Sequence, residues 1–304
     1  MVYRSSAKKA PADPNKKPKH SYWSKNKCHC PVCKKDFERE EMLTGGGRMI
    51  AGELTDELHR IYEPSEKFGY IYPLLYSVGA CPKCHTAFFW KDFEEIDDNA
   101  SLNALLDDSE NRKKAVSNMF PYYELTRERN LLDGAAMYYL ALLSYEKVDL
   151  SYAPTIKRAM ISLRLAWICK DLDRVIPNHN YTFAAEVFYR KAQFFYEQTL
   201  INETGRIETI AKVSNFGPDI DKNYGYDGVI YLNSLLEFKY GQTEDMQMRY
   251  KKLDENKRSI ARIFGLGKSS KSKPGPLLEK SRALYDSLTA TLNEANIISV
   301  DDDE

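Results

Sequence analysis

One spacing, occurring twice, constrains this chain more than any other feature: Cys30-Pro-Val-Cys33 and Cys81-Pro-Lys-Cys84. Two intervening residues let both thiolates of a pair reach one ion about 2.3 Å away. Proline in the second position fixes φ near about −65° and favours the tight turn. Two such pairs complete a four-thiolate tetrahedron, the geometry of structural zinc, with no position left for a catalytic water. The spacing therefore predicts one Zn2+ held by Cys30, Cys33, Cys81 and Cys84. The 47 residues from Lys34 to Ala80 exceed the usual ribbon spacing of about 15–20, so an insertion is expected between the pairs.

Cys28 would form only a Cys-x-Cys bite with Cys30 and reads as a spare thiol. His29 and His85 adjoin the ligands and are the alternatives to them. Cys169, in "LAWICKDL", lies on an apolar helical face and reads as core. Four thiolates on a divalent ion leave a local charge of −2, and Lys34, Lys35 and Lys83 stand beside them in sequence. A redox dithiol would use one Cys-x-x-Cys at a helix start near a βαβ unit, and no such unit is legible. No H-E-x-x-H occurs. "GKS" at 267–269 has Arg262 where a phosphate loop needs glycine. These observations point away from an enzyme.

Charge divides the chain. Formal net charge is zero over 304 residues, yet residues 1–27 carry eight Lys or Arg against Asp13, and the chain closes on "DDDE". Residues 1–22 read as a disordered basic arm, and 296–304 as an acidic tail. The arm could touch nucleic acid, which is the alternative functional reading. No apolar run reaches the roughly 18 residues that span a bilayer. The N-terminus lacks a secretory apolar segment, so a cytoplasmic location with reduced thiols is expected.

Residues 23–97 read as a zinc-binding head. Within it "TDELHRIY" suggests a short helix capped by Thr55, with Leu58 and Ile61 on one face, and "YIYPLLYSVGA" a β-like run. Residues 98–295 are helical in pattern, with long windows at about 122–148, 154–172, 181–203, 226–240, 243–264 and 276–293. The stretch 231–253 fits a tetratricopeptide unit, with Ser234, Gly241, Met246, Tyr250 and Leu253 at its characteristic positions. Ala159, Leu163 and Ala166 are a second trace, and Ala185, Tyr189 and Ala192 a third. The expected fold is mainly α: a zinc-ribbon-like four-cysteine head followed by a tetratricopeptide-like antiparallel helical array. Such arrays bind peptides or helices of partner proteins on a concave face. Tyr138, Tyr145, Tyr189, Tyr196 and Tyr231 are the candidate face residues.

"KCHCPVCKKDFE", "YPLLYSVGACPKCHTAFFWKDF", "ISLRLAWICKDLD" and the repeat at 231–253 together resemble a bacterial family, domain of unknown function 2225, over roughly residues 22–295. The resemblance implies a zinc-ribbon-like head and a tetratricopeptide-like body, and no particular activity. The family usually follows the second cysteine of each pair with glycine, the residue most tolerant of φ > 0. This chain has Lys34 and His85 there.

Overall fold

The protein was analysed as a computed structural model that describes residues 19–265 and 273–295. Most of the basic arm and all of the acidic tail lie outside those residues. The last positions assigned to the arm are structured: strand β1 (Ser21–Trp23) pairs antiparallel with β4 (Glu40–Met42). The Ser21 hydroxyl donates to the buried Glu40 carboxylate, which also pairs with Arg129.

Three further antiparallel pairs build the N-terminal part: β2 (Cys28–His29) with β3 (Asp36–Phe37), β5 (Ile50–Leu54) with β6 (Arg60–Glu63), and β7 (Val78–Ala80) with β8 (Ala87–Phe89). The expected helix in "TDELHRIY" is instead the tip of the β5–β6 hairpin. Leu58 takes φ 59° and donates its N–H to the Thr55 carbonyl, while the Thr55 hydroxyl accepts from His59 N–H. Thr55 thus caps a tight turn. One turn of helix cannot offset its nucleation cost, and strand pairing on both sides does. In "YIYPLLYSVGA", Pro73–Tyr76 form a 3-10 turn and only Val78–Ala80 are strand. Proline removes a ladder donor and stops the strand starting earlier.

The rest is helical: α1 (Asp92–Glu95), α2 (Asn99–Asp107), α3 (Ser109–Met119), α4 (Leu131–Tyr145), α5 (Pro154–Val175), α6 (Tyr181–Thr204), α7 (Gly225–Tyr240), α8 (Met246–Phe264) and α9 (Gly275–Glu294). From α4 onward each helix packs on the next. The window at 122–148 is the one that shrinks. Asn130 and Asp133 exchange side-chain-to-backbone bonds in a capping box, which fixes the start of α4 at Leu131. In the repeat-like stretch, Ser234 and Leu253 are buried between α7 and α8, and Ser234 Oγ lies 3.3 Å from Asn256 Oδ1. Met246 is exposed and makes no notch there. Among the described residues, no helix is long and apolar enough to cross a membrane.

The candidate face tyrosines need correction. Tyr138, Tyr145, Tyr189, Tyr196 and Tyr231 are each at most 1% exposed. Four of them donate their hydroxyls to the N-terminal segment: Tyr138 to Leu74 O (2.8 Å), Tyr145 to Asp92, Tyr189 to Glu57 (3.1 Å) and Tyr231 to Asp56 O (2.8 Å). Tyr196 OH is buried without a partner. Four of the five tyrosines thus face residues 56–92 of the same chain rather than solvent. A periodic tyrosine says which side of a helix is apolar, not which segment lies on it.

Candidate metal centre

Each cysteine pair sits at the end of a short hairpin, β2–β3 or β7–β8. The two turns have the same hydrogen bonds. Lys34 N–H donates to Cys30 O (2.9 Å) and Cys30 N–H to Lys35 O (3.0 Å); His85 N–H donates to Cys81 O (2.9 Å) and Cys81 N–H to Thr86 O (2.8 Å). Lys34 and His85 take φ 56° and 57°. The turn therefore needs the left-handed conformation that glycine adopts without strain, and here two side chains accept it.

The hairpins bring four sulfurs together. Cys30, Cys33, Cys81 and Cys84 all lie within 4.8 Å of one another, and Cys30, Cys81 and Cys84 are buried. Sγ–Sγ separations are 3.6 Å for Cys30–Cys84 and 3.5 Å for Cys33–Cys81. A tetrahedral ion with bonds of about 2.3 Å wants edges of about 3.8 Å, so the cluster fits a metal with little movement. Disulfides are absent among the described residues, and every cysteine is a free thiol. Hydrogen bonds from Cys30 and Cys81, with Thr86 adding to them, hold Cys84 well below the ordinary thiol range. Cys30 is pushed up by the bonds it gives Cys81 and Cys84 and by burial.

Neither histidine joins the sulfurs. His29 Nδ1 pairs with Asp36 across its hairpin (2.8 Å), and His85 Nε2 bonds Tyr123 OH (2.8 Å). Cys28 faces away from the cluster, with its sulfur 3.9 Å from His29 O and its thiol pushed up to about 11 by burial. Cys169 is buried in α5.

The spacing of the cysteines gave no hint of Arg112. It comes from α3 and is 1% exposed. Its guanidinium donates to Cys84 O (3.0 Å), Thr86 Oγ1 (3.1 Å), Leu105 O (2.8 Å), His85 O (3.3 Å) and Asp108 (3.2 Å). The Thr86 hydroxyl, which accepts from Arg112, also lies within hydrogen-bond distance of Cys84 Sγ, at 3.3 Å. Ser109 Oγ adds a bond to Cys84 O (3.0 Å). Lys34, Lys35 and Lys83 are exposed, and Lys34, Lys83 and Lys113 stand only at the rim of the cavity over Cys33 and Cys84. A buried cation in low dielectric offsets thiolate charge better than solvated ammonium groups do. Only the Asp-Ser-x-x-Arg run that opens α3 could have marked Arg112, and it reads as ordinary surface helix.

The same hairpins seed the core. Phe37 packs on Phe93 (5.4 Å), Phe88 on Phe93 (5.3 Å), and Phe88 on Tyr145 of α4 (5.1 Å). Side chains that hold the cysteines in place thus come from both sides of residue 97.

A protein of Borreliella burgdorferi (strain ATCC 35210 / DSM 4680 / CIP 102532 / B31) is 41% identical over 268 residues, covering 88% of this chain and 95% of its own length. It is described only as "Uncharacterized protein". No solved structure matches significantly. The profile of the family described as "Uncharacterized protein conserved in bacteria (DUF2225)" matches residues 23–288, and the chain belongs to that family.

Proposed function

We propose that the protein is a zinc-stabilised interaction module, an adaptor or scaffold rather than an enzyme. Cys30, Cys33, Cys81 and Cys84 would hold one structural Zn2+, and a tetratricopeptide-like helical body would engage a peptide or helix of a partner protein in the cytoplasm. The observation that carries this reading is the closed set of four thiols within 4.8 Å. Four sulfurs fill a tetrahedron, so no position is open for substrate or water. An all-sulfur set also suits iron. Metal analysis and absorbance of the purified protein separate the two: one colourless zinc per chain is expected. A chain that purifies folded with no metal would remove the proposal.

A further inference from the structure

The tip of the β5–β6 hairpin enters a cleft between α5, α6 and α7. Glu57 is buried there. Its carboxylate accepts from Trp167 Nε1 of α5 (2.8 Å), Tyr189 OH of α6 (3.1 Å) and Lys239 Nζ of α7 (3.4 Å). Asp56 gives its carbonyl to Tyr231 of α7, and its carboxylate lies 3.6 Å from Lys239 and 3.4 Å from Lys280 of α9. Leu58 is fully buried beside them. Four donors from three successive helices therefore converge on an acidic–apolar turn. This is how a helical array holds a ligand, and here the ligand is part of the same chain.

Two observations mark this docking as exchangeable. The hairpin is a two-stranded ribbon with exposed or half-exposed residues throughout both strands, a unit of marginal stability by itself. Leu58 sits at φ 59°, a strained conformation for a bulky residue that its surroundings must hold.

We propose that the cleft between α5, α6 and α7 is a binding site for an acidic–apolar turn of a partner protein, and that Asp56-Glu57-Leu58 fills it as a resident stand-in. The occupant is set by the donors: Lys239 and Lys280 select acidic side chains, Trp167 and Tyr189 orient one carboxylate, and the site of Leu58 takes an apolar residue after it. The inference rests on the interaction-module reading and gives it a site and a ligand chemistry.

The test uses the full chain with its metal. A fluorescein-labelled peptide LTDELHRI, the sequence of residues 54–61, serves as probe, with a second probe carrying Gln in place of the glutamate. In wild-type protein the resident tip competes. The double variant Glu57→Ala/Leu58→Ser vacates the cleft, and Glu57→Gln, which keeps the shape of the tip, stands in if the double variant does not fold. Fluorescence anisotropy is expected to show at least about tenfold tighter binding of the acidic probe to the vacated protein than to wild type. The Gln probe should bind about tenfold more weakly, as loss of a charge-assisted set of bonds requires. Lys239→Met in the vacated background should weaken the acidic probe similarly. A folded, metal-loaded variant that ignores the probe, or binds both probes alike, overturns the proposal. So does a dimer in light scattering that disappears with Glu57→Gln, since the occupant would then be a second copy of this chain. A partner bound elsewhere and indifferent to Glu57 and Lys239 would leave the interaction reading intact and remove only this site.

Discussion

At the scale of single residues, the two cysteine pairs and their neighbours separate cleanly by geometry. Cys30 shares the sulfur cluster and Cys28, two positions away, does not. Cys30→Ser should abolish stoichiometric metal and unfold the hairpin ends, while Cys28→Ser should leave metal content and melting temperature unchanged; elemental analysis and circular dichroism check both. A fall in zinc content for Cys28→Ser would refute the ligand assignment. Lys34 is exposed and left-handed. Lys34→Gly should stabilise the protein by about 1 kcal/mol in denaturant unfolding, because it relieves a steric cost that no contact repays. His85→Gly should bring no such gain, since it loses the Tyr123 bond and an edge-on ring contact at 6.0 Å. Arg112 is a different matter. Arg112→Met strands the carbonyls of Cys84 and Leu105 and the Asp108 carboxylate, and should cost about 3–5 kcal/mol. Arg112→Lys should not rescue it, because one ammonium cannot span the fork. Unfolding midpoints and a competitive zinc titration would register both variants. The ligands were legible because thiolates bind in fixed local spacings. Arg112 was not, because its partners lie 4–28 residues back along the chain.

At the scale of elements, helix positions after residue 150 were legible to within a few residues, and the hairpin tip was misread. The reason is physical. Long amphipathic helices announce their period over many turns, whereas "TDELHRIY" has eight residues and fits either a helical turn or a strand–turn–strand. Its docking cleft is distant in sequence, and it decides. Element packing also sets which glycines are fixed. A Cβ on Gly134 of α4 would meet Leu75 Cδ2 at 2.3 Å, in the 3-10 turn that Tyr138 also holds. Gly134→Ala should therefore cost about 1–3 kcal/mol despite alanine's better helix propensity. Adding Leu75→Ala should return part of that loss, so the pair is non-additive in thermal melts.

At the scale of the whole molecule, the four-cysteine cluster and the helices are joined through Arg112, the Phe37–Phe93–Phe88–Tyr145 aromatic contacts and the buried Glu40–Arg129 pair. Chelation should therefore not unfold the hairpins alone. Hydrogen exchange after metal removal is expected to lose protection in residues 28–37 and 78–89 and in α2 and α3, while α5–α7 stay protected through their own buried core. Uniform loss across α5–α7 would mean that the metal holds the entire chain. The sequence by itself determined the four thiols, their tetrahedral competence, the absence of a long apolar span and the succession of long helices. Each of these is written in local spacing or in periodicity over one element. Only the tertiary structure decided that the tyrosines face inward, that Arg112 underlies the sulfurs and that Glu57 fills the cleft between α5, α6 and α7. Those facts depend on which segments meet across separations from a few tens of residues, as at Arg112, to more than a hundred, as at Glu57, and side-chain burial is settled by that meeting rather than by the residue's own neighbours.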